Sequence, residues 1–271
     1  MPGAPFDSSK KKDYNRSMFR KKYKQTLFDS KTPVNILNWE GGQPGQIFDE
    51  LIQPMVYNTP DWYKQTQRWV EAPDKTGGKK QKWPGVKHCL PFLDALVTGY
   101  GIFLAESIWV ELDENNKVII SHNNTKREPV GNRPPQVTDP LPNPPGCLPE
   151  HYIWALPVAI ELPPGFSGVF THPFNRWDLP FISTTAIIDD YNCPGANMAF
   201  HLREGFLGEI PAGTMIAQIL PFRREEWIAK ELKGRLWKMG HMNRDGTEYV
   251  SEDELLDGWY RKNHWKKKVF K

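Results

Sequence analysis

The chain has 271 residues, of which 35 are basic and 32 acidic, leaving a net charge of only +3. That near-balance excludes a dedicated nucleic-acid coat, and no apolar run reaches the about 18 residues that a membrane span needs. Eleven tryptophans, 25 prolines and 21 glycines suit short strands and shaped loops better than a helical bundle.

Cys89, Cys147 and Cys193 are odd in number and lack Cys-x-x-Cys spacing, so neither a disulfide framework nor a zinc knuckle is indicated. The opening "MPGAPFDSSKKKDYNRSMF" has no apolar core, which predicts that the protein is not secreted. Residues 1–85 read as a basic, partly irregular extension. Its Lys10, Lys11, Lys12, Arg16, Arg20, Lys21, Lys22 and Lys24 alternate with Tyr14, Phe19 and Tyr23. Such an arm suits a neighbouring subunit, or weak electrostatic contact with nucleic acid. Within it, "GQIFDELIQPM" (residues 45–55) predicts a short helix with Ile47, Leu51 and Ile52 on one face and Pro54 ending it. "DKTGGKKQK" (residues 74–82) predicts an exposed loop.

Residues 86–222 have a different texture. "ESIWVEL" and "KVIIS" are strand-like, with "DENN" between them as a hairpin turn. The proline-rich residues 126–151 predict an irregular excursion, after which "YIWALPVAIEL", "GFSGVFTHP", "FISTTAIID", "NMAFHLRE" and "TMIAQILPF" supply further strands. Short strands at this spacing predict a mainly β sandwich or barrel-like core. Residues 223–271 read as a helical, basic tail, with Ser251 and Glu254 as a capping box for its last helix. A second basic cluster, "KKKVFK", closes the chain.

Five stretches, taken in order, resemble the deoxyuridine triphosphatase (dUTPase) family. They are "TGYGIFLAESIWVEL" (98–112), "IELPPGFSGVF" (160–170), "THPFNRWDLP" (171–180), "AIIDDYN" (186–192) and "AGTMIAQIL" (212–220). The resemblance implies a dUTPase-like β-clip fold, a distorted β-sandwich that assembles as a homotrimer. It further implies that Asp189 or Asp190 orients water, that Tyr191 floors the base, and that Gln218 lies beside the phosphates. Asn175 and Arg176 stand where the family has Pro-Arg-Ser, Gly101 where it has an aspartate, and basic sequence where it has a glycine-rich arm. Asp189 and Asp190 are adjacent, whereas the family's two acids are separated by one residue. Magnesium would be required only if the chain hydrolyses nucleotides. The chain's seven histidines are scattered, so no other metal site is expected.

Each candidate has a plain structural reading beside the catalytic one. A glutamine inside an apolar strand can serve phosphates or simply satisfy backbone groups at a strand crossing. Adjacent aspartates at a strand end commonly form a solvated turn. Arg176 and Asn175 can cradle an anion, or Arg176 can form a surface ion pair.

"CLPFLDALVTGYGIFL", "HPFNRWDLPFISTTAIIDDY" and "WYRKNHWKKKVFK" also resemble a group of proteins of large tailed phages, especially those of marine cyanobacteria. Together the resemblances imply a non-catalytic phage structural or assembly protein, such as a head decoration or connector-associated component. It would contact other phage proteins and reside in the virion or host cytoplasm, with no membrane involvement. The alternative is a divergent nucleotide hydrolase, similar to dUTPase or dCTP deaminase, acting on a small phosphorylated substrate.

Overall fold

A strand buried on both sides needs an almost continuous apolar run, and "MIAQILPF" provides one. In the computed structural model it forms β16 (Met215–Arg223), whose first five residues are all buried. The structure describes residues 35–38, 51–73, 77–78, 80–123, 128–133, 142–156, 158–189, 197–229, 241–242, 249–250, 259–263 and 265–270, all within the unit Val34–Lys271.

β16 lies at the centre of a five-stranded antiparallel sheet. On one side it pairs with β11 (Phe166–Thr171), which pairs in turn with β13 (Ala186–Asp189). On the other side it pairs with β5 (Tyr100–Phe103), followed by β2 (Ile52–Pro54). A four-stranded sheet runs β12 (Phe181–Ser183), β14 (Asn197–Leu202), β9 (Tyr152–Ala155), β8 (Val130–Asn132). A three-stranded sheet runs β15 (Gly208–Ile210), β6 (Ile108–Leu112), β7 (Val118–His122). Three two-stranded pairs complete the strands: β3 (Trp69–Pro73) with β4 (Lys80–Pro84), β1 (Asn35–Asn38) with β10 (Val158–Glu161), and β17 (His241–Met242) with β18 (Tyr249–Val250). The described helices are short: α1 (Asp61–Gln65), α2 (Leu90–Val97) and α3 (Trp259–Asn263). No helix among the described residues is long and apolar enough to cross a membrane. The mainly β architecture is the one that the sequence predicts.

The three larger sheets contribute to one core. Ile102, Ile216 and Ile219 come from the five-stranded sheet, Trp154, Phe181 and Phe200 from the four-stranded, and Ile108, Val110 and Ile210 from the three-stranded. Trp154 stacks on Phe200 with ring centroids 3.7 Å apart and meets Phe181 edge-on at 5.0 Å. Its indole N–H has to find an acceptor in this apolar setting. Trp154 Nε1 donates to Ser183 Oγ at 3.1 Å, and that hydroxyl donates to the Ile216 carbonyl at 2.6 Å. One hydroxyl therefore ties the aromatic centre of one sheet to the central strand of another.

Several local expectations change. Residues 52–54 of the predicted helix form β2, because Ile52 pairs with Ile102 and is fully buried, and residues 45–50 lie outside the described set. A strand partner outweighs so short a helix, whose nucleation is unfavourable. Of the loop predicted over 74–82, residues 80–82 belong to β4, and residues 74–76 and 79 lie outside the described set. Residues 224–229, which begin the predicted tail helix, have no regular structure, and Trp227 there is 85% exposed. The Ser251–Glu254 capping box falls outside the described residues. Trp265, by contrast, folds back: its indole N–H donates to the Asp94 carboxylate on α2, joined by Lys268 at 2.6 Å. The predicted "DENN" turn is present, with Asp113 Oδ1 accepting from the Asn115 and Lys117 N–H groups, both at 2.8 Å.

Ser183→Ala strips Trp154 of its acceptor and the Ile216 carbonyl of its side-chain donor. The expected cost is about 2 kcal/mol, measured by urea unfolding. A loss indistinguishable from zero would show that the hydroxyl does not bridge the sheets.

Candidate functional site

Gln218 is 0% exposed in the middle of β16, opposite Thr171 of β11 and Gly101 of β5. Its Oε1 accepts the Phe174 backbone N–H at 2.9 Å. Its Nε2 donates to the Ala95 and Thr98 carbonyls at 3.0 and 2.7 Å. Helix ends leave carbonyls without intrahelical partners, and a chain leaving a strand leaves an N–H in the same condition. One amide answers both. The polar residue sits in an apolar strand because three backbone groups converge there.

The chain after α2 is fixed by a close approach. Gly99 has φ +79°, and a Cβ there would lie 2.1 Å from the Ile219 carbonyl oxygen, so no side chain fits. Gly101 follows, where the family resemblance expects a carboxylate. A Cβ on Gly101 meets Met55 Sδ at 3.0 Å and the Phe103 ring at 3.1 Å. Met55, Phe103 and Met215 form a separate buried apolar cluster. The position offers thioether and ring where a magnesium ion needs oxygen ligands, so the residues present do not fit that ion. Among the described residues no three His, Cys, Asp or Glu side chains gather into a metal-binding group.

The loop between β11 and β12 is held from inside. His172 is buried, with Nδ1 accepting the Ser183 N–H at 3.3 Å, so its Nε2 carries the proton and donates to the Arg176 carbonyl at 3.0 Å. Burial pushes the His172 pKa down; the Arg176 carbonyl bond opposes this without reversing it, so the ring is neutral. Asn175 takes φ +58°, a left-handed conformation that asparagine tolerates better than most residues. Arg176 forms a two-pronged pair with Asp178, Nε to Oδ1 and Nη2 to Oδ2, each at 2.9 Å. Partial burial raises the Asp178 pKa, but the hydrogen bonds and charge of Arg176 win and hold it below the ordinary carboxylate value. Arg176 is thus engaged in an ion pair within its own loop.

Asp189 stands elsewhere. It lies opposite Ser167 at the start of β11, while Gln218 lies opposite Thr171 at its end. Four strand residues separate the two positions by about 13 Å. Ser167 Oγ donates to Asp189 at 2.6 Å and Arg224 approaches it at 3.3 Å. The Ser167 hydrogen bond, then the Arg224 charge, keep the exposed carboxyl below its usual pKa. Asp190 and Tyr191 lie outside the described residues. Within one chain, then, Asn175, Arg176 and Gln218 belong to one neighbourhood and Asp189 to another.

Sequence reasoning passed over a cleft of about 540 Å³ beside the same loop, lined in part by Trp177, Asp178, Arg203, Glu204, Phe206 and Glu209. Arg203 helps to shape it, with Nε donating to the Leu179 carbonyl at 3.0 Å. No spacing signal joins residues 177–180 to 203–211. Only the pairing of β12 with β14 brings them together.

No family model matches the chain, and no curated protein matches it. Among solved structures it is similar to a mutant dUTPase from phage phi11 of S. aureus, a structure described for its coordination of a structural Mg(II) ion. The two are 13% identical, the match covers 51% of this chain and 84% of that one, and the TM-score is 0.29. At that score the strand order above, rather than the overlay, describes the fold.

Gln218→Leu keeps the volume and strands three backbone groups. The expected destabilisation is about 3 kcal/mol, and a variant that unfolds at the wild-type urea concentration would contradict the bridging role. A second expectation concerns pH. His151 is buried against His201 at 5.1 Å, neither ring nitrogen has a hydrogen-bond partner, and burial, then His201 and Arg133, lower its pKa. His151 and His172 both titrate lower folded than unfolded. Their contribution is therefore complete above about pH 6.5 and is lost as pH falls from there towards the folded values. Each adds a slope of at most about 1.4 kcal/mol per pH unit. His151→Phe keeps the stack and should flatten the fall by about one proton's share, as read from urea unfolding across pH 7 to 5. An unchanged slope would mean that His151 does not titrate with folding.

Proposed function

We propose that the chain is a non-catalytic protein with a structural or assembly role, built on a dUTPase-like β-clip core that associates as a homotrimer. The observation that carries this reading is the state of Gln218. A phosphate-binding amide must present a free donor, and both donor positions of Gln218 are directed at carbonyls of its own chain. Arg176 is engaged by Asp178, and the Gly101 position is walled by Met55 and Phe103. Catalysis needs polar groups that converge on a reacting atom, whereas Gln218 is turned to the backbone and Arg176 to Asp178. A component of a phage particle, such as a head decoration or connector-associated protein, is the role that the sequence resemblances favour. Fold likeness alone decides no function.

The nucleotide-hydrolase alternative rests on Asp189, an exposed carboxylate positioned by Ser167 on the edge strand β13. A second chain laid against that edge would have to supply the rest of a site.

Mass in solution, combined with magnesium-dependent pyrophosphate release from a panel of deoxynucleotides, separates the two. The expected result is a trimer that releases nothing above background, with Asp189→Ala behaving identically. Release that disappears in Asp189→Ala overturns the non-catalytic reading, and a monomer or dimer overturns the trimeric one.

A further inference from the structure

Charge is distributed unevenly along the chain. Residues 68–88 carry six basic side chains (Arg68, Lys75, Lys79, Lys80, Lys82, Lys87) against Glu71 and Asp74, a local net of +4. With +3 overall, the rest of the chain sums to −1. This segment contains β3 and β4, which pair with each other and with no other described strand. Isolated two-stranded hairpins are marginal in water. Anchors hold this one at its base: Gly85 N–H donates to the Arg68 carbonyl at 2.8 Å, Arg68 Nε donates to His88 Nε2 at 3.2 Å, and Trp69 packs on His88 at 4.3 Å. Lys87 is engaged as well, donating to the Lys64 carbonyl at 2.8 Å.

Beyond the base the ribbon stands open. Only Ala72 and Trp83 of its ten strand residues are even partly buried. The register sets Trp69 opposite Pro84, Glu71 opposite Lys82 and Pro73 opposite Lys80, so Trp69, Lys80 and Lys82 share a face with one acid between them. Lys80 and Lys82, two residues apart, project about 6.8 Å from each other along that face. Neither side chain forms an ion pair or hydrogen bond among the described residues, and Trp69 is 49% exposed. An exposed tryptophan beside exposed cations two residues apart combines a stacking surface with a track for a phosphate backbone.

We propose that the β3–β4 hairpin is a contact for single-stranded nucleic acid. Lys80 and Lys82 take phosphates, and Trp69, backed by His88, stacks a base. The partner is a polyanion with unpaired bases, because the charge calls for phosphates and the open indole calls for a planar face. Recognition of this kind is indifferent to sequence.

The test is fluorescence anisotropy of the full chain with a labelled 20-nucleotide oligothymidylate and a 20-base-pair duplex, from 50 to 200 mM salt, with anionic phosphatidylserine vesicles in parallel. Lys80→Gln with Lys82→Gln should weaken oligothymidylate binding about tenfold at low salt and reduce the slope of log K against log salt by about 1.4. Trp69→Ala should weaken it about tenfold with the slope unchanged, and Trp69→Phe, which keeps a ring, should recover most of the loss. The two lysine changes lie on exposed strand positions and should leave the melting temperature unaltered. Three outcomes overturn the proposal. The lysine pair can leave affinity and slope at wild-type values, placing any binding elsewhere. Duplex can be preferred with Trp69→Ala silent, which indicates a groove contact without stacking. Vesicles can bind while both oligonucleotides fail, which indicates a membrane surface.

Discussion

One buried amide holds together parts of the chain that are far apart in sequence. Gln218 sits on the central strand, receives the Phe174 N–H from the loop after β11, and donates to Ala95 and Thr98 at the end of α2. Without it, α2 would have to leave carbonyls unpaired above an apolar sheet, a cost that falls wholly on the folded state. A second polar anchor lies just beyond. Asp94, the neighbour of Ala95, collects Trp265 and Lys268, and Phe270 meets Tyr100 edge-on at 5.9 Å. Sheet, helix and C-terminal segment are thus stacked by polar contacts through successive residues of one helical turn.

The same arrangement explains two glycines. Gly99 lets α2 return to the sheet, since its Cβ would collide with the Ile219 carbonyl that lies next to Gln218. Gly101 leaves room for Met55 and Phe103 to close over the sheet, directly across from Gln218 in register. A carboxylate at 101 and a free amide at 218 would share a polar site between them. A glycine at 101 and a saturated amide at 218 share an apolar, closed one. The two positions are paired in register, so the apolar wall at one and the saturated amide at the other belong to one local arrangement.

Much of the core was legible because its signals are local. Runs such as "ESIWVEL" and "KVIIS" state a strand on each side of a turn, and Asp113 supplies the turn chemistry in place. The "TMIAQILPF" run reads as a strand, and its single glutamine reads equally as a phosphate ligand or a backbone partner, a choice that only the positions of Phe174, Ala95 and Thr98 inform. What failed depended on distant partners. Residues 52–54 look helical until Ile102 is known to be available to Ile52, and residues 80–82 look like a loop until β3 pairs with them. Arg176 could not be assigned from sequence, because the choice between an anion and Asp178 depends on a turn set by the left-handed Asn175. The cleft around Trp177 and Arg203 needs the β12–β14 register, which no spacing rule contains.

Exposure separates the polar groups that build this molecule from those left for other uses. Gln218, His172 and Ser183 are buried, and each is met by backbone on more than one side or by a buried ring and a carbonyl together. Such groups confer specificity of fold, because an unsatisfied member costs more than a satisfied one gains. Lys80 and Lys82 are the opposite case, exposed cations from whose charge the fold gains little, and Asp189 stands between the two, exposed yet held by Ser167 and Arg224. Trp69 and Trp227 extend the contrast to apolar groups: about half of Trp69 and most of Trp227 lies in water, where burial would be favourable. The polar groups that tie the sheets together are thus satisfied inside, while cations and indoles are left at the surface. Trp69, Lys80 and Lys82 place both kinds of exposed group on the β3–β4 ribbon, and Asp189 stands on the edge strand β13.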